Sequence, residues 1–173
     1  TIGIATMGGS WGVMLTDALG LRGLRVPELP AALQEKMRRM GMPERASVRN
    51  PVDFGAAMGS LSADVRIQMV ETMLAWEGIG GVIVHGYGAA GFLPKDALAA
   101  ARQRFEEEKA LLHSFYALQE RYQKPVVLAT AMTPLESQIV QELIAEGLRF
   151  QHRLDDAAAV LAALRDYASM HTG

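Results

Sequence analysis

The feature that most constrains this chain is an alternation of short apolar runs with longer stretches of helical periodicity. The runs are Ile2–Thr6, residues 24–29, residues 51–54, Gly81–His85 and Val126–Ala129, with residues 148–151 as a candidate sixth. Each is too short for a buried helix, and the first, fourth and fifth are rich in β-branched residues, so they read as strands. Between them, apolar residues recur at helical spacing: Val13, Leu15, Ala18 and Leu19; Ala31, Leu33 and Met37; Val65, Met69, Val70 and Met73; Leu98, Phe105, Leu112, Phe115 and Tyr122. That spacing marks one buried face of a helix. Strands that alternate with helices across short turns call for a parallel sheet covered by helices on both faces, a three-layer α/β fold. Gly81-Val82-Ile83-Val84 is as uniformly apolar as a strand covered on both faces has to be.

Turn chemistry supports the alternation. Ser10, Ser62, the Thr133-Pro134-Leu135-Glu136 capping box and Asp155 are expected to start helices, and Pro30 and Pro94 to stand at helix openings. Gly23, Gly41, Gly78 and Gly147 are expected near helix ends, and Lys124-Pro125 breaks the long helix that begins at Pro94. Glu106-Glu107-Glu108 beside Lys109 reads as a solvated face of that helix. No repeat, low-complexity tract or linker divides the chain, so residues 1–173 read as one domain. The chain opens directly in a strand at Thr1, as a piece cut from a longer protein would.

Right-handed crossovers place the C-terminal ends of all parallel strands along one rim, and ligands of such sheets bind outside that rim. The rim carries Gly8, Gly9, Ser10, Trp11 and Gly12 after the first strand, and Asn50, Asp53 and Gly55 around the third. It also carries His85, Gly86 and Gly88 after the fourth strand, and residues 130–133 after the fifth. At Gly8-Gly9-Ser10 the backbone turns from strand into helix. The first amides of a helix lack internal acceptors and carry the positive end of the dipole, which suits a phosphate. Packing alone is the competing reading of the same glycines. Trp11 reads either as a wedge or as a lid, and Asp53 as a loop cap, a ligand-orienting group or a holder of a magnesium-bound water.

Several chemistries are excluded by what is missing. Cysteine is absent, which removes disulfides, thiolate metal sites and a cysteine nucleophile. The glycine turn lacks the Gly-Lys-Ser/Thr ending of a phosphate-binding Walker loop and the glycine spacing of a dinucleotide fingerprint, while Gly8 and Gly12 flank Ser10 at the distances of a nucleophilic serine turn, which leaves that role as a minor alternative for Ser10. No histidine or carboxylate pair has metal-ligand spacing. Of the four histidines, His85 alone ends a rim strand; His113, His152 and His171 read as incidental. A net charge of −2 with interspersed signs gives no nucleic-acid surface, and no apolar stretch approaches the ~20 residues of a membrane span. A cytoplasmic protein is expected.

Two blocks carry a family resemblance: Ile4-Ala5-Thr6-Met7-Gly8-Gly9-Ser10-Trp11-Gly12-Val13 with Asp17-Ala18-Leu19, and Ala46-Ser47-Val48-Arg49-Asn50-Pro51-Val52-Asp53. With them the chain resembles the nucleoside-diphosphate-forming acyl-CoA synthetases, the ADP-forming acetate–CoA ligase type. The match is to their later flavodoxin-like CoA-ligase domain, itself similar to the C-terminal domain of the succinyl-CoA synthetase beta subunit. The resemblance implies one part of an acid–thiol ligase that interconverts acyl-CoA, ADP and phosphate with acid, CoA and ATP. It implies that Gly8 to Gly12 help hold a phosphoryl group carried on a histidine of another domain. None of the histidines here stands in the Ser-His-Thr-Gly or Gly-His-Ala-Gly context of that carrier, so no catalytic residue is assigned to this chain. Partners implied are the CoA-binding, phosphohistidine and ATP-grasp domains of the same enzyme, with a homo-oligomer left open. ATP or ADP, magnesium and CoA belong to the whole enzyme and none to this domain alone, which is not expected to turn over by itself. Two other readings stand beside this one. One is a non-catalytic regulatory or assembly domain of a CoA-dependent acyltransferase fusion, and the other a free-standing small-molecule binding protein.

Overall fold

A computed structural model describes residues 1–57, 59–92 and 99–171. Five strands run in parallel in the order β2-β1-β3-β4-β5: β1 Ile2–Thr6, β2 Val52–Asp53, β3 Gly81–His85, β4 Val126–Ala129 and β5 Phe150–Gln151. This is the flavodoxin-like doubly wound order, whose topological switch point lies between β1 and β3. The helices are α1 Gly9–Gly20, α2 Ala31–Arg39, α3 Ala63–Ala75, α4 Ala99–Tyr122, α5 Gln138–Ala145 and α6 Leu154–His171.

Strand side chains alternate between two cores, which is what makes three layers. Ile2, Ile4, Ile83, Val127 and Ala129 pack with Leu15 and Leu19 of α1 and Ala158 and Leu161 of α6. Ala5, Val82, Val84, Val126 and Leu128 pack with Met73 of α3, Phe115 of α4 and Leu143 of α5. Gly3 matters for this second layer. A Cβ there would stand 2.7 Å from Met73 Cε, so a side chain at this position would require the end of Met73 to move aside.

The helix ends follow the turn chemistry in part. Ser62 caps α3, its hydroxyl accepting from the Val65 amide at 3.3 Å. At the end of α1, Gly23 takes φ +69 and the Leu24 amide reaches back to the Leu19 carbonyl at 3.0 Å. The expected capping box at Thr133 makes only a turn. Glu136 accepts from the Thr133 amide at 2.9 Å, but the helix starts at Gln138 with Ser137 as its cap. The expected start of the long helix at Pro94 lies outside the described residues.

Residues 24–29 do not form the expected strand. Pro27 has no amide to donate, and among the described residues the backbone hydrogen bond between this segment and β1 is the one from the Ile2 amide to the Arg25 carbonyl, at 2.8 Å. That flank of β1 is served by Asn50 instead. Its Oδ1 accepts from the Ile4 amide at 2.8 Å, and its Nδ2 donates to the carbonyls of Ile2 and Pro27 at 3.0 and 2.9 Å. One side chain thus replaces the ladder that the short β2 leaves unmade.

The acidic run on α4 is also not a uniformly solvated face. Glu106 and Glu107 are exposed, whereas Glu108 is half-buried and accepts from the Gly88 amide. Burial pushes its carboxyl above the usual carboxylate range, while the Gly88 and Ala90 amides and Arg66 oppose that rise. Among the described residues no helix is long and apolar enough to cross a membrane.

Candidate functional site

The exits of β1, β2 and β3 are tied to one another by backbone. The Met7 amide donates to the His85 carbonyl at 3.0 Å and the Phe54 amide to the Thr6 carbonyl at 2.7 Å. Gly55 and Gly86 are needed for this closeness. A Cβ on Gly55 would strike the Met7 carbonyl, and Gly86, at φ +97, would put one 2.8 Å from Met7 Cβ. Both glycines therefore build the rim. Neither is committed to a ligand by its geometry.

At the centre stands the first turn of α1. Gly8 is its N-cap, with no side-chain cap. The expected Ser10 cap is absent because the helix begins one residue earlier, leaving Ser10 inside it and exposed. The amides of Gly9, Ser10 and Trp11 have no acceptor among the described residues, and Gly9 and Ser10 face solvent. Gly12 serves packing rather than the mouth. A Cβ there would meet Pro51 Cβ at 2.8 Å, so glycine lets α1 lie on the segment leading into β2.

Asp53 faces this turn from the β2 side. Its Oδ1 accepts from the amides of Gly55 and Ala56 at 2.9 and 3.3 Å, capping its own loop. Its Oδ2 stands 3.2 Å from where a Cβ on Gly9 would be, so one carboxylate oxygen points at the helix mouth. Like unit charges ~5 Å apart at an effective dielectric near 20 repel by about 3 kcal/mol, against roughly 0.3–2 kcal/mol for a helix terminus. An anion seated here needs added positive charge from elsewhere.

The β3 side differs. Trp11 turns back over Gly8, whose Cβ would lie 3.1 Å from Trp11 Cδ1, and its ring meets the His85 ring with centroids 5.1 Å apart. His85 is 2 % exposed, and burial alone holds its pKa down at about 4, so the imidazole is neutral near pH 7. Its Nδ1 lies 3.5 Å from Thr6 Oγ1, which donates to the Gly8 carbonyl at 3.2 Å. A cavity of about 140 Å³ at the switch point is lined by Trp11, His85, Gly86, Tyr87, Ala89, Thr130, Ala131 and Met132.

The segment after β3 that walls this cavity is anchored by three elements. Thr130 Oγ1 donates to the Tyr87 carbonyl, Ser137 Oγ to the Gly88 carbonyl at 2.6 Å, and Glu108 receives the Gly88 amide. Gly88, at φ +109, makes the turn that brings these groups together. Sequence reasoning missed Glu108 and Ser137. The acid run hid the first, and the preceding capping box drew the start of α5 away from the second.

Of the expected site residues, then, Gly8, Gly9, Ser10, Trp11, Asp53, Gly55, His85, Gly86 and Gly88 converge at the rim. Asn50 does not, since its side chain is spent on β1. His113 pairs with Glu146 at 2.7 Å and His152 with the Met132 carbonyl at 2.9 Å. A larger open groove of about 620 Å³ lies between α2 and the connector before Asn50, lined by none of the expected residues. Its Arg38 is occupied by the carbonyls of Met42, Pro43, Glu44 and Ala46. Among the described residues no three histidines or carboxylates gather as a metal site.

No family model matches the chain, and no curated protein matches it in sequence. Solved structures do match in fold. PH0766 from Pyrococcus horikoshii OT3 superposes with a TM-score of 0.72 at 23% identity, over 98% of this chain and 36% of that one. The dinucleotide forming acetyl-coenzyme A synthetase 1 of Ca. Korarchaeum cryptofilum superposes in its apo form with a TM-score of 0.69 at 18% identity. In its complex with phosphate and ADP the TM-score is 0.63 at 19% identity; both comparisons cover 97% of this chain and 33% of the synthetase. This chain spans about a third of the length of each of these proteins, and over that third it has the α/β fold of one of their domains.

Proposed function

We propose that this chain is the flavodoxin-like CoA-ligase domain of a cytoplasmic, nucleoside-diphosphate-forming acyl-CoA synthetase, of the kind related to succinyl-CoA synthetase. In this reading the mouth of α1 receives the phosphoryl group that a partner domain carries on histidine, during acyl-CoA + ADP + phosphate = acid + CoA + ATP. The observation that carries the reading is the trio of unpaired amides at Gly9, Ser10 and Trp11, beside the switch point of a sheet whose fold a synthetase shares. A phosphoryl group in transit needs preorganised donors at its oxygens more than a nucleophile from this domain. The cationic charge that Asp53 makes necessary comes, in this reading, from magnesium or from side chains of the CoA-binding, phosphohistidine or ATP-grasp domains.

The test is phosphate transfer from a phosphohistidine-bearing partner domain to ADP in the presence of this chain, with Gly9→Val as the variant. A side chain at Gly9 pushes toward Asp53 Oδ2 and covers the mouth, and the reading requires transfer to fall at least about tenfold, the effect of ~1.4 kcal/mol at the transition state. An unchanged rate removes the mouth from the mechanism. Trp11 leaning toward β3 and Asp53 pointing at the amides favour a second reading, a non-catalytic module that keeps the fold for assembly. That reading requires wild type and variant to behave alike.

A further inference from the structure

We propose that the groove between α2 and the connector before Asn50 is a docking site for an acidic polypeptide segment of a partner protein. The proposal rests on neither the α1 mouth nor the switch-point cavity, and it stands or falls apart from the reading above.

The two walls differ in kind and are fixed to each other. One is a face of α2, where Ala31, Gln34, Glu35 and Arg38 stand three or four residues apart. The other is the run from Glu44 to Arg49, in which Ala46 and Val48 are buried while Arg45, Ser47 and Arg49 are exposed. Arg38 ties the end of α2 to the carbonyls of Met42, Pro43, Glu44 and Ala46. Ahead of α2, the Leu29 amide donates to the Arg49 carbonyl at 2.7 Å. The groove is therefore formed before anything enters it. Its volume of about 620 Å³ is far more than one phosphate or acetate fills.

Charge narrows the occupant. Residues 25–49 carry six basic and three acidic side chains, a local net charge of +3 in a chain whose total is −2. Within the groove Arg38 is spent on backbone, and Glu35 pairs with Arg39 at 3.3 Å. Arg45 gives its Nε–H to the Ala56 carbonyl at 3.0 Å, and its two terminal nitrogens keep no acceptor among the described residues. The Arg49 side chain has none either. Two exposed guanidiniums thus stand four residues apart on one wall, each with a planar donor pair that matches a carboxylate. Such spacing suits an anion that carries its charges at intervals.

The same walls also carry acceptors. Gln34 turns its Nε2 to the Glu28 carboxylate and the Leu29 carbonyl, so its Oε1 stays unpaired, and the Glu44 carboxylate has no partner among the described residues. A polypeptide answers both needs: its backbone N–H groups donate to these acceptors while its acidic side chains meet the arginines. A nucleic acid brings a phosphate with every nucleotide, against which Glu35 and Glu44 would stand. The mixture of free donors and free acceptors selects an acidic peptide over a phosphate chain.

The test is an NMR titration of the chain with acetylated, amidated hexaglutamate, its hexaglutamine counterpart, a thymidine hexanucleotide and inorganic phosphate. The signals are the backbone amides of residues 44–49 and the Arg45 Nε–H. Hexaglutamate is expected to shift them saturably, with a Kd below about 1 mM at low salt and several-fold weaker at ~0.5 M salt. Hexaglutamine should leave them unmoved. Arg49→Gln removes no side-chain bond of the fold and should weaken hexaglutamate about two- to fivefold, the worth of one exposed charge pair. Arg45→Glu combined with Arg49→Glu should abolish binding. Phosphate should act at the Gly9 and Ser10 amides of the α1 mouth and leave the connector alone. The proposal is overturned if hexaglutamate gives no shift, if hexaglutamine or phosphate binds the connector as strongly, if the oligonucleotide binds it more tightly, or if the double variant keeps its affinity.

Discussion

The two flanks of β1 are built from opposite materials. On the β2 flank, Asn50 spends its whole side chain on backbone and Asp53 spends one oxygen on its loop, leaving the other toward an open helix mouth. On the β3 flank, His85 is neutral near pH 7 and buried behind Trp11, at the edge of a small cavity. The strand between them is the same five residues. The difference comes from pairing. β3 runs alongside all of β1 and buries its own exit, whereas β2 reaches only Ala5 and Thr6, so polar side chains must complete that flank.

The contrast breaks first at Asn50. In Asn50→Ala, the Ile4 amide and the carbonyls of Ile2 and Pro27 lose their partner, and each unsatisfied buried group costs ~1–3 kcal/mol. A loss of about 3–5 kcal/mol in urea unfolding is expected, with phosphate response at Gly9 retained under conditions where the protein stays folded. A loss below about 1 kcal/mol would show that residues 24–29 pair with β1 after all.

On the opposite flank the expected effect is set by pH. His85 has a folded pKa of about 4 against an ordinary value of 6.5. The unfolded chain therefore binds more protons between those values, and the stability due to the neutral ring is present above pH 6.5 and lost as pH falls toward 4. At pH 5 the loss relative to pH 7 comes to about 2 kcal/mol. His85→Phe should flatten that part of the stability–pH curve, and an unchanged slope in the variant would place the titrating group elsewhere.

Asp53→Asn sharpens the comparison more gently. The Asn Oδ1 still accepts from Gly55 and Ala56, so the loop stays capped while the negative charge at the α1 mouth disappears. Inorganic phosphate should then bind the isolated chain roughly three to ten times more tightly, corresponding to ~0.7–1.4 kcal/mol and within the scale of a partly screened charge pair. Weaker binding in the variant would mean that Asp53 recruits a cation that phosphate needs.

These outcomes also mark how far the sequence reaches. The sheet, both helix layers and the rim were legible because burial on both faces leaves a period that no loop imitates, as in Val82 to Val84. The convergence of Gly9, Asp53 and His85 was legible too, since strand ends in such a fold have only one place to be. What the residues did not disclose was how each side chain is spent. Asn50 and Asp53 sit three apart in one motif, yet one mends a strand and the other faces a helix mouth. That division depends on β2 being only two residues long. Glu108 looked like its exposed neighbours, because nothing local says that the segment after β3 folds back onto α4.

The smallest effect concerns Ser10, and its smallness is the point. Ser62 and Ser137 cap α3 and α5 through hydroxyls that accept from Val65 and Val140, each at 3.3 Å. Removing either hydroxyl should cost about 1 kcal/mol, the usual worth of an N-cap. Ser10 lies inside α1, is exposed and caps nothing, so Ser10→Ala should change stability by less than about 0.5 kcal/mol. A cost equal to that of Ser62→Ala would mean that the α1 amides are already satisfied by their own chain. A neutral result leaves them without an acceptor from their own chain, as the position of Ser10 inside the helix requires.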